Sequence, residues 1–123
     1  MFEVTVTQRF KASHSLMSAS GDPEPSHAHD WQVDVTVTGY ELDASGCVSD
    51  FAIVQRHLRS ITSLWDGKDL NEAGMFLDIP PSTEILAKSI YDQLEEVLSE
   101  EGCKLKSVTV WETENCRATY INS

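Results

Sequence analysis

The stretch SHAHDWQVDVTVTG (26–39) decides the fold. From about Ala28 its residues alternate, with Trp31, Val33, Val35 and Val37 on one parity and Gln32, Asp34, Thr36 and Thr38 on the other. Successive side chains of a strand point to opposite faces, so this pattern predicts a strand with one dry face and one wet face. The same alternation precedes it: Phe2, Val4, Val6, Phe10 and Ala12 share one parity, and Glu3, Thr5, Thr7, Arg9 and Lys11 the other. Between them SASGDPEPS (18–26) collects turn formers and reads as a loop. Two alternating strands joined by such a loop predict an antiparallel pair.

Downstream, DASG (43–46) breaks the alternation and the period becomes helical. Phe51, Val54, Leu58, Ile61 and Leu64 or Trp65 follow three- and four-residue steps, and Ser49 or Asp50 can cap the start. Residues 66–81 are irregular and end in Pro80-Pro81. A second helix is expected from Ser82 or Thr83, with Glu84 at the positive end of its dipole. Its apolar stripe is Ile85 or Leu86, Ile90, Leu94, and Val97 or Leu98, and Gly102 is a natural stop. KSVTVWET (106–113) and CRATYI (116–121), separated by Glu114-Asn115, read as a hairpin. The order β-β-α-α-β-β predicts an α+β domain over 1–123: a four-stranded antiparallel sheet with two helices on one face. The open edges of so small a sheet favour pairing between chains, hence a homo-oligomer.

Composition narrows the function. The chain has 123 residues, 41% hydrophobic and 24% charged, which suits one globular domain. Its 20 acidic and 9 basic residues give a net charge of −11, which argues against nucleic acid and anionic membranes as partners. No apolar run approaches the roughly 20 residues of a membrane span. The start, MFEVTVTQRFKASHS, lacks a signal-peptide layout, so a cytoplasmic location is expected. Cys47, Cys103 and Cys116 are an odd set without CxxC spacing, expected to be reduced and buried as filler.

The histidines carry the first chemical signal. His27 and His29 are two apart at the start of a strand, so both rings face one way. His14 ends the first strand and converges with them if the two strands pair. Three neutral imidazoles suit Zn²⁺ and leave a coordination position open, although H-x-H also arises by chance on surfaces. His57 lies beside Arg56 and Arg59 on the first helix and reads as a surface residue. Among carboxylates, Glu24 lies three residues before His27, either as a general base or as a solvated loop acid. Asp66 follows the first helix, where a site role and a turn role are equally natural. Glu112 shares a strand face with Val108 and Val110, so it needs a partner if buried. That partner is either a ligand with adjacent N–H donors or Arg117 on the next strand.

Together these pieces resemble the 6-pyruvoyl-tetrahydropterin synthase family, which includes the bacterial 6-carboxytetrahydropterin synthases. The resemblance rests on FKASHSL (10–16), SHAHDWQVDVTVTG (26–39), GCVSDFAIVQRHL (46–58), LWDGKDLNE (64–72), PSTEILAKSIYDQL (81–94) and VTVWET (108–113), in that order. It implies the T-fold, whose sheets join into a barrel, with rings stacked as a hexamer of two trimers and sites at subunit boundaries. His14, His27 and His29 match the zinc ligands. Glu112 matches the acid that anchors the pterin's amino and ring N–H groups, and Thr83 and Glu84 fall in the segment lining the pocket. The implied activity is that of a zinc-dependent lyase acting on 7,8-dihydroneopterin triphosphate.

Two departures stand out. The family's proton-abstracting cysteine is expected shortly before the H-x-H pair, where this chain has GDPEPS (21–26). The family's Asp-His pair after the first helix is here Asp66-Gly67. Family members with a glutamate in the loop before H-x-H are associated with cleaving the substrate's side chain to 6-hydroxymethyl-dihydropterin, which makes Glu24 the expected base. The flanking prolines, Pro23 and Pro25, restrict the backbone there. Alternatives are the ordinary 6-carboxy- or 6-pyruvoyl-tetrahydropterin synthase reaction with a replaced base, and a non-catalytic pterin- or zinc-binding homologue. Lys11, Lys68 and Lys88 are the basic residues nearest these segments. The acidic total suits an uncharged pterin better than a triphosphate.

Overall fold

The computed structural model describes residues 1–122. Two long strands, β1 (Phe2–His14) and β2 (His27–Gly39), pair antiparallel in unbroken register from Phe2 opposite Gly39 to His14 opposite His27. Helix α1 (Phe51–Thr62) follows, capped by Asp50, whose carboxylate accepts from the Ala52 N–H. A two-residue strand β3 (Lys68–Asp69) and two short 3₁₀ turns lead to helix α2 (Thr83–Glu100). Ser82 caps α2 by accepting from the Ile85 N–H. The helix ends in a Schellman arrangement, with Gly102 at φ +78° and the Cys103 N–H bonded to the Leu98 carbonyl. Strands β4 (Lys104–Thr113) and β5 (Cys116–Ile121) form the closing hairpin about Glu114-Asn115.

The sheet order is β3-β1-β2-β4-β5, five strands rather than the four expected from the sequence. The added strand pairs parallel with β1 at Ala12 and Ser13. It is too short to show a period. It is held by a local turn: Gly67, at φ +76°, donates its N–H to the Lys11 carbonyl, and the Asp66 carboxylate accepts from the Lys11 N–H at 2.8 Å.

One continuous core lies between the helices and one sheet face. Val6, Phe10 and Ala12 of β1, Trp31, Val33, Val35 and Val37 of β2, and Val108 and Val110 of β4 supply the sheet side. Val54, Leu58, Leu86, Ile90, Leu94 and Leu98 supply the helices. Each fully buried aliphatic side chain contributes roughly 1.5–3 kcal/mol. Leu105 has the wrong parity for this face, yet it is buried because a bulge opposite Thr36 and Val37 shifts the register there. The other sheet face is polar, with hydroxyl pairs Thr5–Thr36 and Thr109–Thr119 crossing between strands.

Candidate metal centre

The apolar face gives way to imidazoles at one end. The cross-strand pairs run Phe10–Trp31, Ala12–His29, His14–His27, so all three histidines continue the core parity. Phe10 and Trp31 stack with centroids 6.0 Å apart, and the Trp31 indole N–H donates to the Ala12 carbonyl. Trp31 then meets His14 and His29 edge to face at 4.9 and 5.5 Å, forming the floor between core and site. Glu112 reaches the same place from β4. The β4–β5 register slips by one between Trp111 and Thr113, which makes Glu112 the extra residue of a bulge. Bulges commonly re-aim a side chain beside a functional site.

The resulting cluster is His14, His27, His29 and Glu112, with one ligating atom from each lying within 4.8 Å of all the others. Glu112 Oε1 is 2.9 Å from His14 Nε2, 3.2 Å from His29 Nε2 and 3.8 Å from His27 Nε2. His14 is fully buried, and the other three are partly exposed. Two backbone carbonyls fix the rings. His14 Nδ1 lies 2.8 Å from the Pro81 carbonyl, and His27 Nδ1 lies 3.2 Å from that of Pro25. A carbonyl only accepts, so each Nδ1 carries the proton, and in the neutral ring each Nε2 turns a lone pair inward. His29 Nε2 is buried without a hydrogen-bond partner. Burial pushes His29 below the ordinary imidazole range; Glu112 opposes that shift, and His27 and His14 reinforce it. Lone pairs converging on a carboxylate oxygen fit a cation, and three imidazoles with one carboxylate match the donor set of a zinc-type ion.

Glu24 stands at the rim. Its backbone N–H donates to the Leu16 carbonyl, and its carboxylate accepts from the Leu16 N–H at 3.0 Å. A Met17–Pro23 bridge closes the loop into a small hairpin. The Glu24 carboxylate is thereby held 4.0 Å from His27 Nδ1. Asn71 clamps the residue after His14 by accepting from the Ser15 N–H and donating to its carbonyl, at 2.7 and 2.9 Å. A groove of about 570 Å³ opens alongside, lined in part by Leu16, Phe76, Leu77, Ile79 and Ser82.

Residues 3–123 match the family described as PTPS: 6-pyruvoyl tetrahydropterin synthase. The chain belongs to the 6-pyruvoyl tetrahydropterin synthase family. It is 30% identical over 101 residues to the 6-carboxy-5,6,7,8-tetrahydropterin synthase of Bacillus subtilis, covering 79% of this chain and 68% of that one. It is 32% identical over 125 residues to the human 6-pyruvoyl tetrahydrobiopterin synthase, covering 90% and 85%. Among solved structures, the Caenorhabditis elegans 6-pyruvoyl tetrahydropterin synthase superposes with a TM-score of 0.84 at 22% identity, over 99% of this chain and 96% of that one. A Plasmodium vivax 6-pyruvoyltetrahydropterin synthase, solved with a catalytic glutamate replaced by alanine, superposes at 0.73 and 17% identity, over 97% and 96%.

As a member of this pterin-processing family, the chain brings the three expected histidines and Glu112 to one point. Arg117 is not the partner of Glu112; it stacks over Trp111 at 4.7 Å, on the other sheet face. Asp66 stays outside the cluster, its carboxylate bonded to the Lys11 backbone. Thr83 and Glu84 sit in the first turn of α2, next to the Pro81 carbonyl that orients His14. The cysteines are not the buried filler expected: Cys47 and Cys116 are exposed, Cys103 is partly buried, and none belongs to the cluster. Lys11 is exposed near Asp30, Lys88 pairs with Asp92, and Lys68 is exposed. His57 lies 3.5 Å from Glu101. Among the described residues, no helix is long and apolar enough to cross a membrane. The two carbonyls and Asn71 escape sequence reading: backbone acceptors leave no residue signature, and Asn71 sits in a stretch without a period.

Proposed function

We propose that this protein is a zinc-dependent lyase that cleaves the side chain of 7,8-dihydroneopterin triphosphate, or of a related dihydropterin, with Glu24 as the base. The observation that carries this reading is Glu24, held by Leu16 at the rim of the three-histidine cluster. His14, His27 and His29 would hold the ion. A bound zinc ion would acidify the side-chain hydroxyls that reach it. Glu24 accepts the proton of the hydroxyl on the second side-chain carbon. The bond between the first and second side-chain carbons breaks, and its electron pair passes into the conjugated dihydropterin ring. A proton returned to the first carbon gives 6-hydroxymethyl-dihydropterin, and the departing fragment is an aldehyde carrying the triphosphate. Glu112 orients the ring by accepting its amino and ring N–H groups, while Thr83 and Glu84 line the pocket. The catalytic glutamate of the Plasmodium vivax protein, which shares the fold, is consistent with a carboxylate in this role.

The assembly belongs to the same proposal: a homohexamer of two trimers, a cytoplasmic T-fold barrel with sites at subunit boundaries, and no nucleic-acid or membrane partner. In such a ring Asp66 would act from the turn beside β1 by assisting proton transfer. The names of the Bacillus subtilis and human relatives favour a second reading, the ordinary 6-carboxy- or 6-pyruvoyl-tetrahydropterin synthase reaction with a replaced base.

One incubation separates these readings. The zinc-loaded protein is mixed with 7,8-dihydroneopterin triphosphate and the pterin products are weighed by mass spectrometry. The expected product is 6-hydroxymethyl-dihydropterin, with Glu24→Gln lowering turnover by roughly 10²–10⁴-fold while ligand binding persists. A carboxy- or pyruvoyl-tetrahydropterin product would establish the second reading. Unchanged substrate with bound pterin would make the protein a binding homologue.

A further inference from the structure

The sheet face turned away from the helices carries a second cluster, on the opposite side of the sheet from the histidines. One cross-strand row there runs Arg9, Gln32, Trp111, Arg117, each residue directly opposite the next. We propose that Arg9 and Trp111 of this row form a binding site for a small aromatic carboxylate. The flat ring lies against the Trp111 indole, and its single carboxylate accepts from the Arg9 guanidinium.

Charge is laid out unevenly over the chain. Five of the nine basic residues stand on this face: Arg9, Lys11, Lys104, Lys106 and Arg117. Of the 20 acids, only Glu3, Asp30 and Asp34 occupy its strand positions. The face is therefore basic in a chain whose net charge is −11, and an anion meets the least repulsion there. Lys106 is paired with Glu3, and Lys11 lies 3.9 Å from Asp30. Among the described residues, neither Arg9 nor Arg117 has a carboxylate within 4.0 Å. Asp34 is already engaged: Oδ1 accepts from the Thr7 hydroxyl and the Gln32 amide, and Oδ2 from the Trp111 indole N–H. Those bonds fix Gln32 and Trp111 in place. Gln32 Oε1 in turn accepts from Arg9 Nη2 at 3.0 Å, which steadies the guanidinium and leaves its other N–H groups for a ligand.

Trp111 supplies the apolar half. Trp31 and Trp65 are buried in the core, whereas Trp111 is half-buried on this face. Its N–H is satisfied by Asp34, and the Arg117 guanidinium lies over its ring at 4.7 Å, so the indole is held as a platform. A cleft of about 410 Å³ is lined by Arg9 and Trp111 together with Asp30, Gln32, Thr113 and Glu114. That volume suits one small molecule. A planar guanidinium matches a carboxylate in a two-pronged bond, and an indole face matches a flat ring. Asp30 and Glu114 put negative charge in the same cleft. They oppose a ligand with several charges more strongly than one with a single charge, which favours a monocarboxylate over a polyphosphate.

Benzoate is the probe. It is titrated by calorimetry into wild type, Arg9→Gln and Trp111→Leu, each with zinc and after chelation, with tryptophan fluorescence followed in parallel and circular dichroism confirming the fold. Wild type is expected to bind one benzoate per chain with or without zinc, and its fluorescence should change. Arg9→Gln should bind roughly 10–100-fold more weakly, as the loss of hydrogen bonds to a charged group requires. Trp111→Leu should bind roughly 3–10-fold more weakly and lose the fluorescence response. Inorganic triphosphate should bind wild type more weakly than benzoate does. Neither heat nor a fluorescence change in wild type would overturn the proposal. Binding that disappears on chelation and is unaltered in Arg9→Gln would put the carboxylate on a metal and overturn it as well. Triphosphate binding more tightly than benzoate would replace the aromatic carboxylate with a phosphate ligand. The wild-type arms decide the matter even if a variant fails to fold.

Discussion

The two ends of a single sheet face obey one pattern and do opposite things. Toward one end, Val33, Val35, Val37, Val108 and Val110 are buried under the helices, and burial alone satisfies them. At the other, beyond Trp31, the same parity delivers His14, His27 and His29, with Glu112 from β4. There His29 Nε2 is buried without a hydrogen-bond partner, and His14 Nε2 lies 2.9 Å from the Glu112 carboxylate. An unsatisfied buried polar group costs about 1–3 kcal/mol. The comparison teaches that this fold draws stability from one end of the face and places at the other an arrangement that is unfavourable until something binds.

The sharpest way to break that division is to damage the apolar end and read the site. Leu94 is fully buried in α2, and Leu94→Ala should destabilise the metal-free protein by about 2–5 kcal/mol in urea unfolding. Its folded form should still bind one zinc per chain. Loss of zinc binding from the folded variant would show that the two ends are mechanically coupled rather than divided.

The reverse substitution carries the opposite sign. His29→Leu removes the unpartnered nitrogen and keeps an apolar body against Trp31. Metal-free stability should rise by up to about 1 kcal/mol, because a buried unsatisfied group is replaced by a shape-filling one. Zinc affinity should fall by more than the roughly 10–100-fold typical of losing an outer-shell partner. A fall in metal-free stability would mean that the ring is satisfied by solvent, and the contrast between the ends would then rest on shape alone.

The legible parts of the chain are those in which a period persists. Thirteen residues each in β1 and β2 carry enough alternation to set the face, and with it the convergence of His14, His27 and His29. Asp50 and Ser82 are recognisable as caps because their side chains do the capping. β3 is not legible: two residues cannot display a period, and their pairing depends on a backbone reversal at Gly67. Alternation on β4 puts Glu112 on the core face, but the bulge that aims it depends on how β5 returns. The ring orientations depend on carbonyls of Pro81 and Pro25, which every residue possesses and no sequence distinguishes. Asp66 shows the cost of ambiguity. Its turn role and its site role look identical in sequence, and within the chain its carboxylate serves the turn.

The smallest effect lies deep in the apolar half, at Tyr91. This side chain is buried, packs edge to face on Tyr120 at 5.0 Å and points its hydroxyl toward the Leu105 carbonyl. Burial pushes its phenol up to about 12, and the Glu95 carboxylate adds to the shift. An unfolded tyrosine releases its proton near pH 10, so between about pH 10 and 12 the unfolded chain loses a proton that the folded one keeps. The stability from the neutral phenol is therefore fully present below pH 10 and lost as pH rises toward 12. Tyr91→Phe cannot titrate, so urea-unfolding stability compared at pH 9 and pH 11.5 should fall more steeply for wild type than for the variant. Parallel curves would mean that Tyr91 is hydrated, and that the apolar end is less dry than the valines on its sheet imply.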